Sequence, residues 1–444
     1  MVDFAQYKIN MNKVKIPNKV KYSDYEKNKD LKNYYGLPKQ VVFCINCSYS
    51  NQKPNSEKEY KHNINTAKPT MDFVDDVCSA CRMHKIKKEI DWEERKKELH
   101  DLCNKYRKNN GEYDCIVPGS GGKDSFYASY ILKNEFKMNP LTVTWSPHIY
   151  TDWGFKNFQS WIHSGFDNYL FTPNGKVHRL LTRLAIDNLF HPFQPFIMGQ
   201  MYFPPKFAYK MNIPLVFYGE NPSEYGNKSN NKHTAEKDLS YFTSDINRLD
   251  SFISGVQVKD LISNFKLSEV DLEPYFPPDR NLLNNKISID VRYLGYYLQW
   301  HPQECYYYAM EKGNFKPAPE RTTGTYSKYS SIDDKIDDFH YYTTFIKFGI
   351  GRATYDSSQE IRNDEITREE AKLLIKKFDG EYPERFKNEI FKYLSIDRND
   401  FPIQSPIFEK PIFDEEYFKL LTDKFRSPHI WKRENNNWVL RNSI

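Results

Sequence analysis

Between residues 91 and 230 the spacing of apolar positions switches repeatedly between two periods. In the stretch from Asp91 to Tyr106, the residues Trp92, Leu99, Leu102, Cys103 and Tyr106 share one face of a helical repeat. Asp91 can cap it and acidic residues crowd its first turn, so the spacing predicts an amphipathic helix closed by Asn109-Asn110-Gly111. Short apolar runs follow at 113–117, 141–145, 168–171 and 214–218, each readable as a buried strand. Helical stretches lie between them, at 125–136, 155–164, 176–189 and 202–211. This alternation predicts an α/β fold with a doubly wound parallel sheet and a ligand at the carboxyl ends of its strands.

The flanking segments have other patterns. Residues 1–40 are polar and rich in Lys, Asn and Tyr, and read as an extended or partly ordered arm. From about 227 to 285 the chain is polar and aperiodic, with a proline cluster at Tyr275-Phe276-Pro277-Pro278, and reads as an insertion or linker. Residues 290–400 read as mainly helical, including a helix entered through Thr367 with Glu370 as its capping-box partner. Three parts result: 1–90, an arm and a cysteine module; 91–230, a nucleotide-binding domain; 231–444, an insertion and a mainly helical region that completes the active site. No internal repeat is visible.

Bulk composition narrows the function. The 64 basic and 59 acidic residues leave a net charge of only +5, which argues against a nucleic-acid surface. A mean hydropathy of −0.78 and the lack of any long apolar run exclude a membrane span. The N-terminal residues show no apolar signal core, so the cytoplasm is the expected location. The 33 Tyr and 31 Phe supply aromatic surface for sizeable cores.

Seven cysteines occur, and four of them form two C-x-x-C pairs, Cys44/Cys47 and Cys78/Cys81, with thirty residues between the pairs. Four thiolates so spaced suit a structural Zn²⁺, with a redox dithiol or an Fe–S cluster as rivals. Such a site contributes about 10–16 kcal/mol to folding in small zinc peptides, enough to order a polar stretch such as residues 50–70. His62 and His84 are possible substitute ligands. Cys115 reads as a small core residue.

The strongest chemical signal is Val117-Pro118-Gly119-Ser120-Gly121-Gly122-Lys123-Asp124-Ser125-Phe126, which joins a strand to a helix. Glycines bring backbone close to phosphate oxygens, and a helix N-terminus attracts an anion. The string is not a Walker loop, which needs G-x-x-x-x-G-K-[ST]. It resembles the pyrophosphate loop of the PP-loop ATP pyrophosphatases, which split ATP into AMP and pyrophosphate. Asp124 could hold Mg²⁺ or orient the loop. Glu220 and Glu224, in the turn-rich segment after the fourth strand, could bind Mg²⁺ or a substrate amine. Lys347 and Arg352 flank Gly349 and Gly351 and suit a second set of phosphate contacts.

Taken with Phe43-Cys44-Ile45-Asn46-Cys47, Tyr150-Thr151-Asp152-Trp153-Gly154, Asn157-Phe158-Gln159-Ser160-Trp161, His191-Pro192-Phe193-Gln194-Pro195-Phe196, Phe217-Tyr218-Gly219-Glu220-Asn221 and Lys347-Phe348-Gly349-Ile350-Gly351-Arg352-Ala353-Thr354, the loop makes the chain similar to N-acetyl sugar amidotransferases. That family includes enzymes of bacterial O-antigen and flagellin-glycan assembly. The resemblance covers about residues 40–385. It implies a PP-loop fold with a zinc-ribbon module. It also implies adenylation of a sugar acetamido oxygen, followed by attack of ammonia to give an acetamidino group. The residues carried over for ATP are Gly119, Ser120, Gly121, Gly122, Lys123, Asp124 and Ser125. Lys123, Asp124, Lys347 and Arg352 are the expected catalytic groups, and Glu220 and Asn221 the expected substrate contacts. ATP, Mg²⁺ and structural Zn²⁺ are the implied cofactors. No glutaminase is seen: Met1-Val2 offers no N-terminal Cys nucleophile, and no G-x-C-x-G elbow occurs. Ammonia is therefore expected from partner glutaminase and cyclase-like subunits. The competing readings are a PP-loop tRNA-modifying enzyme, of thiolase or lysidine synthetase type, and a zinc scaffold with an inactive loop.

Overall fold

A computed structural model describes residues 20–55, 59–63, 65–227, 234–238, 241–278, 289–396 and 412–444. Half of the expected N-terminal arm and parts of the expected insertion therefore lie outside the described residues. Five parallel strands form the central sheet: β1 (Cys115–Pro118), β2 (Pro140–Trp145), β3 (Asn168–Phe171), β4 (Leu215–Tyr218) and β5 (Asp290–Tyr293). Their order is β3-β2-β1-β4-β5, with Ile116 opposite both Leu141 and Val216.

Successive side chains of β1 and β4 feed two separate cores, as strand alternation requires. On one face Cys115, Val117, Leu215 and Phe217 pack against Leu99 and Cys103 of α1 (Trp92–Tyr106) and Ala128, Ile131 and Leu132 of α2 (Lys123–Asn134). Asp91 caps α1 by accepting from the Glu93 and Glu94 amides. On the other face Ile116, Leu141, Val143 and Val216 meet Leu180, Leu181 and Leu184 of α4 (Gly175–Leu189) and Tyr202 and Ala208 of α5 (Gln194–Met211). Between β2 and β3, α3 (Asp152–His163) packs Phe158 and Trp161 against Phe126.

Two elements depart from the sequence reading. Helix α5 begins eight residues earlier than expected and runs through Pro204 and Pro205. Burial of Met198 and Tyr202 on the sheet outweighs the prolines' helix-breaking tendency. Strand β5 comes from beyond residue 230, the expected end of the α/β segment, and pairs with β4. Its neighbours at 279–288 carry no apolar strand signal, and a four-residue edge strand leaves little pattern to find.

Past the sheet come α6 (Pro302–Gly313), which lies along α2, then α7 (Asp337–Phe348), α8 (Arg352–Arg362) and α9 (Arg368–Phe378). Thr367 and Glu370 form the expected capping box of α9. The helix Glu415–Phe425 and a hairpin of Trp431–Glu434 with Asn437–Leu440 complete a further core with α7. The arm joins this core: Tyr25 and Tyr35 are buried and donate hydroxyl bonds to the carbonyls of Arg426 (2.8 Å) and Phe425 (2.6 Å).

Candidate functional site

Strands β1 and β4 are neighbours, yet the chain leaves them toward opposite edges of the sheet. A crevice opens at the carboxyl ends of such a pair. The glycine-rich loop stands there, between Pro118 and Lys123. Gly121 has φ +87°, and a Cβ on it would lie 2.7 Å from the Phe158 Cα. A Cβ on Gly119 would lie 2.1 Å from that of Ser125. Both positions therefore demand glycine. Gly122 supplies no side chain to cap α2, so the first-turn amides and the helix dipole remain available to an anion.

Charges gather around this turn. Lys123 pairs with Asp124 at 2.5 Å, and the Trp300 indole donates to Asp124 at 3.1 Å. Burial opposes the Lys123 cation, but Asp124 and Glu220 outweigh it and hold its pKa above the ordinary value. Glu220, just past β4, accepts a 2.7 Å bond from the Tyr225 hydroxyl. Burial, followed by the Asp124 charge, pushes the Glu220 carboxyl up to about 7. Ser120 donates to Asp333, whose carboxyl burial raises to about 6. Asp337 is also driven well above the usual carboxylate range, by burial and by Asp334 and Asp333. Asp124, Glu220 and Asp333 are carboxylates beside the loop that could hold Mg²⁺.

The other expected site residues are placed differently from one another. Lys347 contacts both Glu59 oxygens (2.9 and 2.8 Å) and the Leu189 carbonyl (2.7 Å). Those contacts use all three of its donors. In this arrangement none is left for a phosphate. Arg352 pairs with Asp356 at 2.9 Å and donates to the Tyr341 hydroxyl at 2.7 Å. Asn221 is buried; its carbonyl caps a short helical turn at Ser223 and its amide donates to the Thr234 carbonyl. Glu224 is bound to Lys87 at 2.7 Å, which ties the crevice to the cysteine module.

A cavity of about 820 Å³ joins several of these groups, though Asn221 and Glu224 do not line it. That is toward the upper end of small-molecule sites, which run to about 1,000 Å³. Loop residues 118–120 and 122–125 line it together with Glu220, Asp333, Lys347 and Arg352. Lys53 and Asn55 from the N-terminal module also line it.

The four paired cysteines converge, with their sulfurs all within 4.8 Å of one another. Cys44 and Cys81 lie 3.8 Å apart and Cys47 and Cys78 3.6 Å apart. Tetrahedral Zn–S bonds of about 2.3 Å require sulfurs about 3.8 Å apart. The set fits zinc and is far too wide for disulfides. The Cys78 amide points at the Cys44 sulfur (3.4 Å), and Arg368 of α9 holds the Cys44 and Cys47 carbonyls. His62 instead bonds Glu59 (2.9 Å), and His84 is not part of the cluster.

Residues 323–444 match the family model described as LPS biosynthesis protein WbpG-like, C-terminal domain. The match covers a little over a quarter of the chain and supports a lipopolysaccharide-related family. Uncharacterized protein MJ1599 of Methanocaldococcus jannaschii is 40% identical over 67 residues, which span 15% of this chain and 24% of that protein. No helix among the described residues is long and apolar enough to cross a membrane.

Several cavity residues escaped sequence reasoning. Asp333 and Asp337 precede or begin an ordinary helix, and Trp300 sits in a short irregular segment. Lys53, Asn55 and Glu59 lie in a stretch that reads as polar filler. Only the pairing of distant segments reveals them.

Proposed function

We propose that the protein is an ATP-dependent, AMP-forming amidotransferase acting on an acetamido sugar in lipopolysaccharide-type glycan assembly. The uncapped glycine turn at the β1/β4 crevice, opening into a cavity of about 820 Å³, carries this reading. The match of residues 323–444 to an LPS biosynthesis domain supports the glycan context.

An acetamido carbonyl resists attack because nitrogen donation stabilises it. Its oxygen attacks the α-phosphorus of ATP and pyrophosphate leaves. Ammonia then adds to the carbon, and AMP departs with the oxygen, leaving an acetamidine. The turn from Gly119 to Ser125 grips the phosphates, and Lys123 neutralises charge on the departing pyrophosphate. Asp124 holds Lys123 in place, and its carboxylate would be a ligand for Mg²⁺, which would help neutralise the phosphates. Glu220, with its raised pKa, can take up a proton from attacking ammonia near neutral pH. Arg352 lines the same cavity from the first turn of α8. Lys347 positions α7 through Glu59. Zinc at the four cysteines would lock the N-terminal module onto α8 and α9. Ammonia is supplied by a separate glutaminase partner.

Incubation with ATP, ammonium and a panel of nucleotide-activated acetamido sugars tests the reading. One sugar should change by the mass difference between oxygen and an imino group, with one AMP released per product. Release of ADP, or glutamine alone sufficing as nitrogen donor for the isolated chain, would contradict it.

A further inference from the structure

The wall of the cavity built by the N-terminal module contains two polar side chains that make no hydrogen bond among the described residues. Lys53 is only 1% exposed, and no carboxylate pairs with it among the described residues; burial, followed by the neighbouring Arg362 charge, pulls its pKa down to about 7 against a smaller opposing pull from Cys78. Its ammonium faces the rings of Tyr49 and Tyr355, each with its centroid 5.5 Å away. Asn55 is 7% exposed, and neither its amide nitrogen nor its carbonyl oxygen has a hydrogen-bond partner among the described residues. Leaving such groups unpaired costs about 1–3 kcal/mol each, and more for a charge. The buried Nδ1 of His340, which also lines the cavity, has no hydrogen-bond partner among the described residues either. The other lysines of this wall are committed, Lys68 and Lys347 both to Glu59.

We infer that Lys53 and Asn55 form an anion subsite for the sugar substrate, separate from the phosphate-binding turn. Lys53 meets an anionic oxygen, the Asn55 amide donates to the same group, and the Asn55 carbonyl accepts from a sugar hydroxyl. The anion is a diphosphate linkage or a sugar carboxylate; both present the oxygen this pair needs. The two tyrosine rings hold the ammonium with little of the hydration that a surface lysine keeps, so an incoming anion displaces little water. The polar segment ordered by the cysteine module thus contributes directly to the site. The sugar's identity rests on the amidotransferase reading; the anion subsite rests on the cavity alone.

Equilibrium binding to the zinc-loaded full chain without ATP tests this. The probes are UDP-N-acetylglucosamine, N-acetylneuraminate and uncharged N-acetylglucosamine. At least one charged probe should bind ten-fold or more tighter than the uncharged sugar, and which one does so identifies the anion. Lys53→Met, which removes an amine that no carboxylate pairs with, should keep the fold and the zinc content and erase that preference. Asn55→Ala should weaken the same probe several-fold, and ATP affinity should stay at the wild-type value in both variants. Equal binding of all three probes to the wild type would overturn the inference. So would an unchanged preference in Lys53→Met, or a Lys53→Met chain that merely loses zinc or thermal stability, since that marks a structural lysine. Failure of ATP to bind or to yield AMP would count against the amidotransferase reading and leave the anion subsite standing.

Discussion

Ser120 of the glycine-rich turn donates its hydroxyl hydrogen bond to Asp333, 213 residues further along the chain. Asp333 belongs to the segment that matches the LPS biosynthesis domain, so that segment sets the shape of the turn. A hydrogen bond to a charged group contributes about 1.5–3 kcal/mol. Asp333→Ala should therefore weaken ATP binding by about ten-fold or more, and a Ser120→Ala, Asp333→Ala double variant should lose little beyond either single change. Additive losses in a titration would show that the two side chains act separately.

Lys347 and Glu59 form a buried pair joining α7 to the N-terminal module. Removing one partner of such a pair costs about 3–5 kcal/mol. Lys347→Met leaves Glu59 with Lys68 and His62, so it should lower the unfolding free energy by less than that, and Glu59→Gln added to it should restore part of the loss. Both variants should bind ATP normally once folded. Normal stability with weakened ATP binding would return Lys347 to the phosphate role that its glycine-flanked position suggests.

That contrast shows what the sequence could convey. The strands at 115–118, 140–145, 168–171 and 215–218 were readable because each is a short apolar run bounded by turn signals. The cysteine cluster was readable from spacing alone. The partners of Lys347, Asn221 and Glu224 were not, because Glu59, Thr234 and Lys87 reach them through tertiary folding. No local period or motif records such contacts. Strand β5 and the buried arm residues Tyr25 and Tyr35 were missed for a similar reason: their burial depends on distant surfaces, not on their own pattern.

The cysteine geometry predicts one zinc per chain by native mass spectrometry. Cys44→Ser should lose the metal and much of the thermal stability. Because Arg368 and Ser48 bind the knuckle to α9 and α8, sugar binding should fall with it. Retention of full stability after metal removal would make the cluster dispensable.

The Glu220 carboxyl stands at about 7 against an ordinary value of 4.5. Between those values the folded chain keeps a proton that the unfolded chain releases, so this group's contribution to stability falls as pH rises toward about 7. Asp333, raised to about 6, acts in the same direction. Glu220→Gln should raise the Tm by a few degrees near pH 8 and change it little near pH 5. A uniform shift across that range would indicate a packing effect instead.

The fate of the acetamido oxygen tests the central chemistry most directly. With a heavy-oxygen label in the sugar's acetamido carbonyl, turnover with ATP and ammonium should place the label in the phosphate of AMP, with unlabelled pyrophosphate beside it. Label found in orthophosphate alongside ADP, or retained in the sugar while AMP accumulates, would contradict the account.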